Sequence, residues 1–259
     1  MNDYHDSGIY DLGLAADLEM WNRKPVERRR VLQLGLAAAA TFLTGCANGQ
    51  GQSVGQLPAE SAGPFAADGA RGVNVLQRSG IIRSDITTSL ETGTKAEGIP
   101  LNIGLQLLEA GSENVPLVGY AVYLWQCDRE TRYSLYSDGV TNEDYLRGVQ
   151  ATDQEGKLRF ASIFPGCYAG RWPHLHFEVY ESLDAATEAD NSLLTSQLAF
   201  PEAACVAAYG AAGYEQSVQN LSQVSLESDG AFRDSAENQV ANMTGSAEEG
   251  YTASFTFGV

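Results

Sequence analysis

Histidine is scarce in this chain. Three occur in 259 residues, at His5, His174 and His176. A metal site made chiefly of imidazoles is therefore excluded, and other side chains must complete one. Basic residues are scarce as well: 16 Lys and Arg stand against 33 Asp and Glu, for a formal charge of −17 and a pI near 4.4. No basic patch is on offer, which excludes a nucleic-acid partner and electrostatic docking on an anionic membrane. The apolar run Val31–Leu43 falls short of the roughly 20 residues a spanning helix needs. A phosphate-binding glycine loop and internal repeats are also missing. What remains is chain enough for one domain with a full core, plus appendages.

The main appendage is N-terminal. Arg28-Arg29-Arg30 leads into Val31–Leu43, and Leu43-Thr44-Gly45-Cys46 follows. Basic flank, short apolar run and small residues are the layout of an export signal. The paired arginines before Val31-Leu32 resemble a twin-arginine signal. Leu43–Cys46 resembles a bacterial lipobox, in which Cys46 would be acylated and become the new N-terminus. On this reading residues 1–46 are signal, residues 47–60 are a flexible tether rich in Gly, Gln and Ala, and residues 61–259 are the domain. The expected location is the bacterial cell envelope, lipid-anchored or secreted, with membrane contact only through a lipid on Cys46. Removing residues 1–45 leaves 11 basic against 27 acidic side chains, a charge of −16, so the acidity belongs to the domain. An oxidising compartment favours one disulfide among Cys127, Cys167 and Cys205 and leaves one thiol over.

Strand signals dominate the domain. Leu101–Leu107 and Lys157–Phe160 alternate apolar and polar residues, as half-buried strands do. Val118–Trp125 is rich in β-formers. Residues 171–180, 194–200 and 251–258 complete the set. Helical character is confined to Pro201–Tyr209 and residues 214–222. The fold class expected is all-β: a β-sandwich of mostly antiparallel strands with long loops and little helix.

Two of the three histidines lie one residue apart, in Arg171-Trp172-Pro173-His174-Leu175-His176-Phe177. On a strand they point the same way, about 6–7 Å apart along it. Neutral imidazoles so placed are natural metal ligands, although such a pair also serves in packing. Tyr168 lies just upstream, and a fourth donor is sought in Asp128–Ser134. A phenolate is a hard anionic ligand that suits ferric iron better than zinc. Two other readings stay open here. A cupin-like H-x-H site would need a later histidine, and none follows His176. A zinc hydrolase would want a carboxylate, and Glu178 has the right parity to share the histidine face.

Several segments together carry a family resemblance: Trp125-Gln126-Cys127-Asp128, Tyr133-Ser134, Tyr145–Gln150, Phe164-Pro165-Gly166-Cys167-Tyr168 and Gly170–Phe177. The chain resembles the intradiol ring-cleavage dioxygenases, closest to the exported branch like protocatechuate 3,4-dioxygenase. The resemblance spans about residues 60–258.

It implies a non-haem Fe(III) held by Tyr133, Tyr168, His174 and His176, with Tyr168 the axial ligand that leaves when substrate binds. Tyr136 rivals Tyr133, which is preferred because it stands directly before Ser134. Arg171 would stabilise negative charge on the ring, and Gln197 would line the site. Arg147 would either support the site or pair with Asp144. The implied partners are a catechol-type diol and O2, giving a muconate-type diacid; the oligomeric state stays open. Alternatives are an extracytoplasmic lipoprotein that binds metal or an aromatic ligand without catalysis, and the zinc hydrolase. Arg129, Arg132, Arg147 and Arg171 would make the pocket locally positive. Because Cys167 adjoins the presumed site, the disulfide expected is Cys127–Cys205, with three free thiols as the alternative.

Overall fold

The alternation of Pro100–Leu108 (β1) sends Leu101, Ile103, Leu105 and Leu107 to one side, each buried. Gly250–Gly258 (β8) does the same with Tyr251, Ala253, Phe255 and Phe257. The two strands pair in parallel, and Lys157–Ile163 (β4) and Asn242–Ser246 (β7) flank them in the order β4-β1-β8-β7. These features come from a computed structural model that describes residues 53–259. The expected export signal, residues 1–46, and residues 47–52 of the tether lie outside the described residues.

A second sheet of four strands packs on the first. It comprises Ala121–Trp125 (β2), Arg147–Ala151 (β3), His174–Tyr180 (β5) and Leu194–Ala199 (β6), in the antiparallel order β3-β2-β5-β6. Its inner face supplies Val122, Leu124, Leu175, Phe177, Val179 and Leu198 to the core between the sheets. An antiparallel sheet usually leaves its other face wet, but here every residue of β5 is buried. Tyr123, Trp125 and Tyr180 on the outer face join a second apolar cluster with Phe65, Ala66 and Tyr133, brought by loops. Short helices Glu202–Tyr209 (α1) and Glu215–Leu221 (α2) follow β6. The architecture is the expected all-β sandwich, and β1–β8 is its one parallel pair among the described ladders.

Three local expectations change. Residues 53–60 of the expected tether are not free chain. Leu57 is buried and its N–H donates to Gly258 O (3.0 Å), while Glu60 N–H donates to Thr195 O (2.8 Å). The Cys127–Cys205 disulfide is not formed: Cys127, Cys167 and Cys205 are all free and buried. Cys127 packs in the outer-face cluster and Cys205 in the core between the sheets, so the two thiols belong to different layers. The strand expected from residue 171 begins at His174, because Gly170 is left-handed (φ 80°) and Pro173 carries no N–H to pair.

The loops over the outer face carry backbone strain. Ala67, Thr131, Leu135 and Leu146 have φ of 56°, 70°, 73° and 58°. A left-handed non-glycine residue costs roughly 1–2 kcal/mol, and such strain concentrates at functional sites. The other sheet is ordinary core. Leu105→Ala, far from these loops, is expected to lower stability by about 2–5 kcal/mol through the cavity it leaves. Urea unfolding measures this, and a loss below about 1 kcal/mol would contradict the packing described.

Candidate metal centre and active site

Two loops cross over the outer face of the second sheet. Gly166 makes the crossing: a Cβ there would lie 2.7 Å from Arg129 O and 2.8 Å from Thr131 Cγ2. Its N–H donates to Asp128 O (3.0 Å). This close approach seats Tyr168 edge-on to Tyr133, with ring centroids 6.0 Å apart. Beneath them strand alternation turns His174 and His176 to the same side. Tyr133 meets His176 edge-on at 6.3 Å, and Tyr168 meets His174 at 5.6 Å.

The nitrogens converge. His174 Nδ1 faces the Trp172 carbonyl, which can only accept. The proton therefore sits on Nδ1, and Nε2 keeps its lone pair. His174 Nε2 lies 3.0 Å from His176 Nε2 and 3.1 Å from the Tyr168 hydroxyl. Burial, and then Arg171, holds the His174 pKa well below the usual imidazole value. Burial, His174, Arg171 and Arg147 do the same to His176. Both imidazoles are thus in the neutral form that metal ligation requires. His176 also lies flat on Trp125 (5.1 Å, 6°), which stacks in turn on Tyr123 (4.9 Å).

A metal ion fits this donor set. Two nitrogens each about 2.1 Å from one ion, at right angles, stand about 3.0 Å apart. Among the described residues no group of three or more His, Cys, Asp or Glu is placed to hold a metal. Tyr133 and Tyr168 are the tyrosines in ring contact with the two imidazoles, which makes their phenols the candidates for further donors. Tyr136 packs against Phe65 and under Arg147, and lines a neighbouring cavity of about 570 Å³. Glu178 shares the histidine face, yet its carboxylate accepts from Tyr180 (2.6 Å) and Thr195 (3.3 Å) and lines that same cavity. It is engaged away from the imidazoles, so the zinc-type carboxylate has no support in the geometry.

Arg171 and Gln197 are in contact, as a guanidinium N–H donates to Gln197 Oε1. Gln197 stands opposite His176 in the ladder and donates to Ser61 O (2.8 Å). Arg171 is also paired with Asp229 at 3.0 Å, both side chains essentially unexposed. Asp229 additionally accepts from Trp172 N–H (2.7 Å). Sequence reasoning missed Asp229, because Ser228-Asp229-Gly230 reads only as a turn.

Of the two roles open to Arg147, the pairing with Asp144 is not made. Asp144 holds Arg78 at 3.1 Å and lies 3.9 Å from Arg83. Arg129 and Arg132 are taken up by Glu97, Glu130 and Asp128. Of the four arginines expected to make the pocket positive, Arg147 and Arg171 are the two whose charge acts on the imidazoles.

Comparison with known proteins bears on this centre. Residues 77–218 match the family model described as "Dioxygenase". The solved intradiol ring-cleavage dioxygenase from Tetranychus urticae is 26% identical, with a TM-score of 0.58, over 70% of this chain and 87% of that one. The dioxygenase domain of a carbohydrate-binding fusion protein from Streptomyces sp. SirexAA-E is 21% identical, with a TM-score of 0.50, over 79% and 97%. That second likeness concerns the fold. No curated protein matches.

Glu60, which also lines the cavity, is pushed up to about 7 by burial against the opposing effects of Gln239 and Arg171. A carboxyl raised on folding leaves the folded state holding more protons. Its contribution is full below its ordinary value of 4.5 and is lost as pH rises through about 7. Glu60→Gln is therefore expected to gain melting temperature relative to the parent protein between pH 5 and pH 8. An unchanged difference across that range would contradict the burial of this group.

Proposed function

The chain belongs to the intradiol ring-cleavage dioxygenases, and from that premise we propose that Tyr133, Tyr168, His174 and His176 hold a non-haem Fe(III) at which a catechol is opened by O2. Membership makes the protein an enzyme that cleaves catechol-type rings. The ligand assignment, the metal and the details below are our reading. The observation that carries it is the convergence of two neutral Nε2 atoms 3.0 Å apart with the Tyr168 hydroxyl 3.1 Å from one of them.

When bound, ferric iron supplies Lewis acidity and a template that brings the catecholate and O2 together. The chain does the rest. The Nδ1–H of His174, donated to Trp172 O, keeps that imidazole aimed. Trp125 stacked on His176 sets the plane of the second ring. Tyr168, beside His174, would be one of the residues that hold the metal, and its phenol oxygen would take one of the substrate's two hydroxyl protons as the substrate binds. Arg171, held by Asp229 and Gln197, faces the ring as negative charge develops on it during oxygen attack. The product is a cis,cis-muconate-type diacid that incorporates both oxygen atoms.

An envelope location accords with this reading. Basic residues 28–30, the apolar run and Cys46 support export with a lipid on Cys46, so the enzyme would meet catechols outside the cytoplasm.

Protein produced with iron is expected to be burgundy, with phenolate-to-iron absorption in the visible, and to consume O2 with a panel of catechols. Partners that merely orient a metal ligand already contribute 10–100-fold to affinity. His176→Ala, which removes a ligand itself, is thus expected to weaken iron binding at least about 100-fold, and Tyr168→Phe to alter the colour and abolish turnover. Either variant keeping full colour and oxygen uptake would overturn the assignment.

A further inference from the structure

Arg147 is fully buried, and among the described residues no carboxylate pairs with it. Its Nε donates to Ser134 Oγ (3.0 Å) and one Nη to Ser134 O (2.9 Å). The other Nη donates to Ala66 O and to the Tyr123 hydroxyl, both at 3.0 Å. One guanidinium thus ties together two loops that lie far apart in sequence. Ser134 is the residue after Tyr133. Ala66 is the residue after Phe65, whose ring stacks on Tyr133 at 4.7 Å.

The backbone strain converges on the same group. Ala67 and Leu135, both left-handed, each directly follow a carbonyl that Arg147 binds, and left-handed Leu146 directly precedes Arg147 itself. Left-handed φ at those positions turns the Ala66 and Ser134 carbonyls inward, toward the guanidinium. Without that donor the Ser134 carbonyl would lose its partner beside a residue in a disfavoured conformation, and the Ala66 carbonyl, which also accepts from the Tyr123 hydroxyl (2.6 Å), would lose its tie to the second loop. Lysine does not reproduce the arrangement, because a single ammonium cannot present a planar fork to two loops.

We propose that Arg147 is the positioning residue that sets where the Tyr133 ring stands, by clamping residues 65–67 and 133–136 against each other in strained turns. This rests on the reading of Tyr133 as a metal donor. Arg147 touches neither substrate nor the reacting atoms; it acts through Ser134 and Phe65.

The test uses the full chain with Arg147→Met, Arg147→Lys, and Arg147→Met combined with Leu135→Gly, and Leu105→Ala as a variant destabilised far from the site. Three quantities are read: iron affinity by chelator competition, the phenolate-to-iron band, and hydrogen exchange of amides 65–69 and 131–137 in iron-free protein. Arg147→Met is expected to bind iron 10–100-fold more weakly, to shift or weaken the band, and to exchange faster in both segments. Arg147→Lys should fall between it and the parent, and Leu135→Gly should restore part of the loss by removing one left-handed penalty. Leu105→Ala should lose stability with the band unmoved. Folded Arg147→Met with its band unchanged and iron affinity within twofold of the parent overturns the proposal. If Arg147→Met does not fold, the same outcome in Arg147→Lys overturns it. Should the parent protein bind no iron, the functional reading fails, while the exchange data still decide whether Arg147 holds the two loops.

Discussion

Everything at the centre depends on burying both faces of the sheet β3-β2-β5-β6. A strand buried on one face would present His174 and His176 to water, where they would titrate freely and pack against nothing. Here the inner face satisfies the sandwich core through Leu175, Phe177 and Val179, and the outer face is roofed by loops. Desolvation keeps the two imidazoles neutral. Strand alternation aims them alike, and the roof brings the tyrosines to them. The same burial demands that polar groups on that face find partners, which is why Arg171, Gln197 and Arg147 are held by Asp229, Ser61, Ser134 and Ala66 rather than by solvent.

Roofing a sheet with irregular chain has a cost, and the structure shows where it falls. Among the described residues, four of the five left-handed non-glycine residues lie at Ala67, Thr131, Leu135 and Leu146, in or beside the roof. The opposite sheet carries ordinary alternation with one wet face. Strain and function therefore share one side of the molecule, while stability is drawn from the other. Gly166 belongs to the same economy of space: the crossing of the tyrosine-bearing loops tolerates no Cβ.

Much of this was legible in the sequence because periodicity is local. The strands around Leu101, Lys157, His174 and Tyr251 follow from alternation, and the H-x-H pair follows from parity. What escaped depends on distant partners. Arg147–Ala151 offers few apolar residues to mark a strand, because its first side chain is a buried guanidinium. Asn242–Ser246 is a mostly exposed edge strand held by pairing with β8 rather than by an apolar face. Asp229 acquires meaning only beside Arg171, 58 positions earlier in the chain. The cysteine pairing failed for the same reason: spacing carries no information on which layer each thiol enters. In the sequence Tyr133 is favoured over Tyr136 only by the Ser134 that follows it, and ring contacts, not periodicity, set Tyr133 beside Tyr168 and His176.

The central claim is that the two imidazoles and two phenols form one iron centre. Anomalous diffraction from crystals of iron-loaded protein, recorded on either side of the iron absorption edge, tests it directly. The account predicts a single strong iron peak within bonding distance of Tyr133 Oη, Tyr168 Oη, His174 Nε2 and His176 Nε2. A peak elsewhere, or one bound by the histidines with Glu178 in place of the tyrosines, would contradict it.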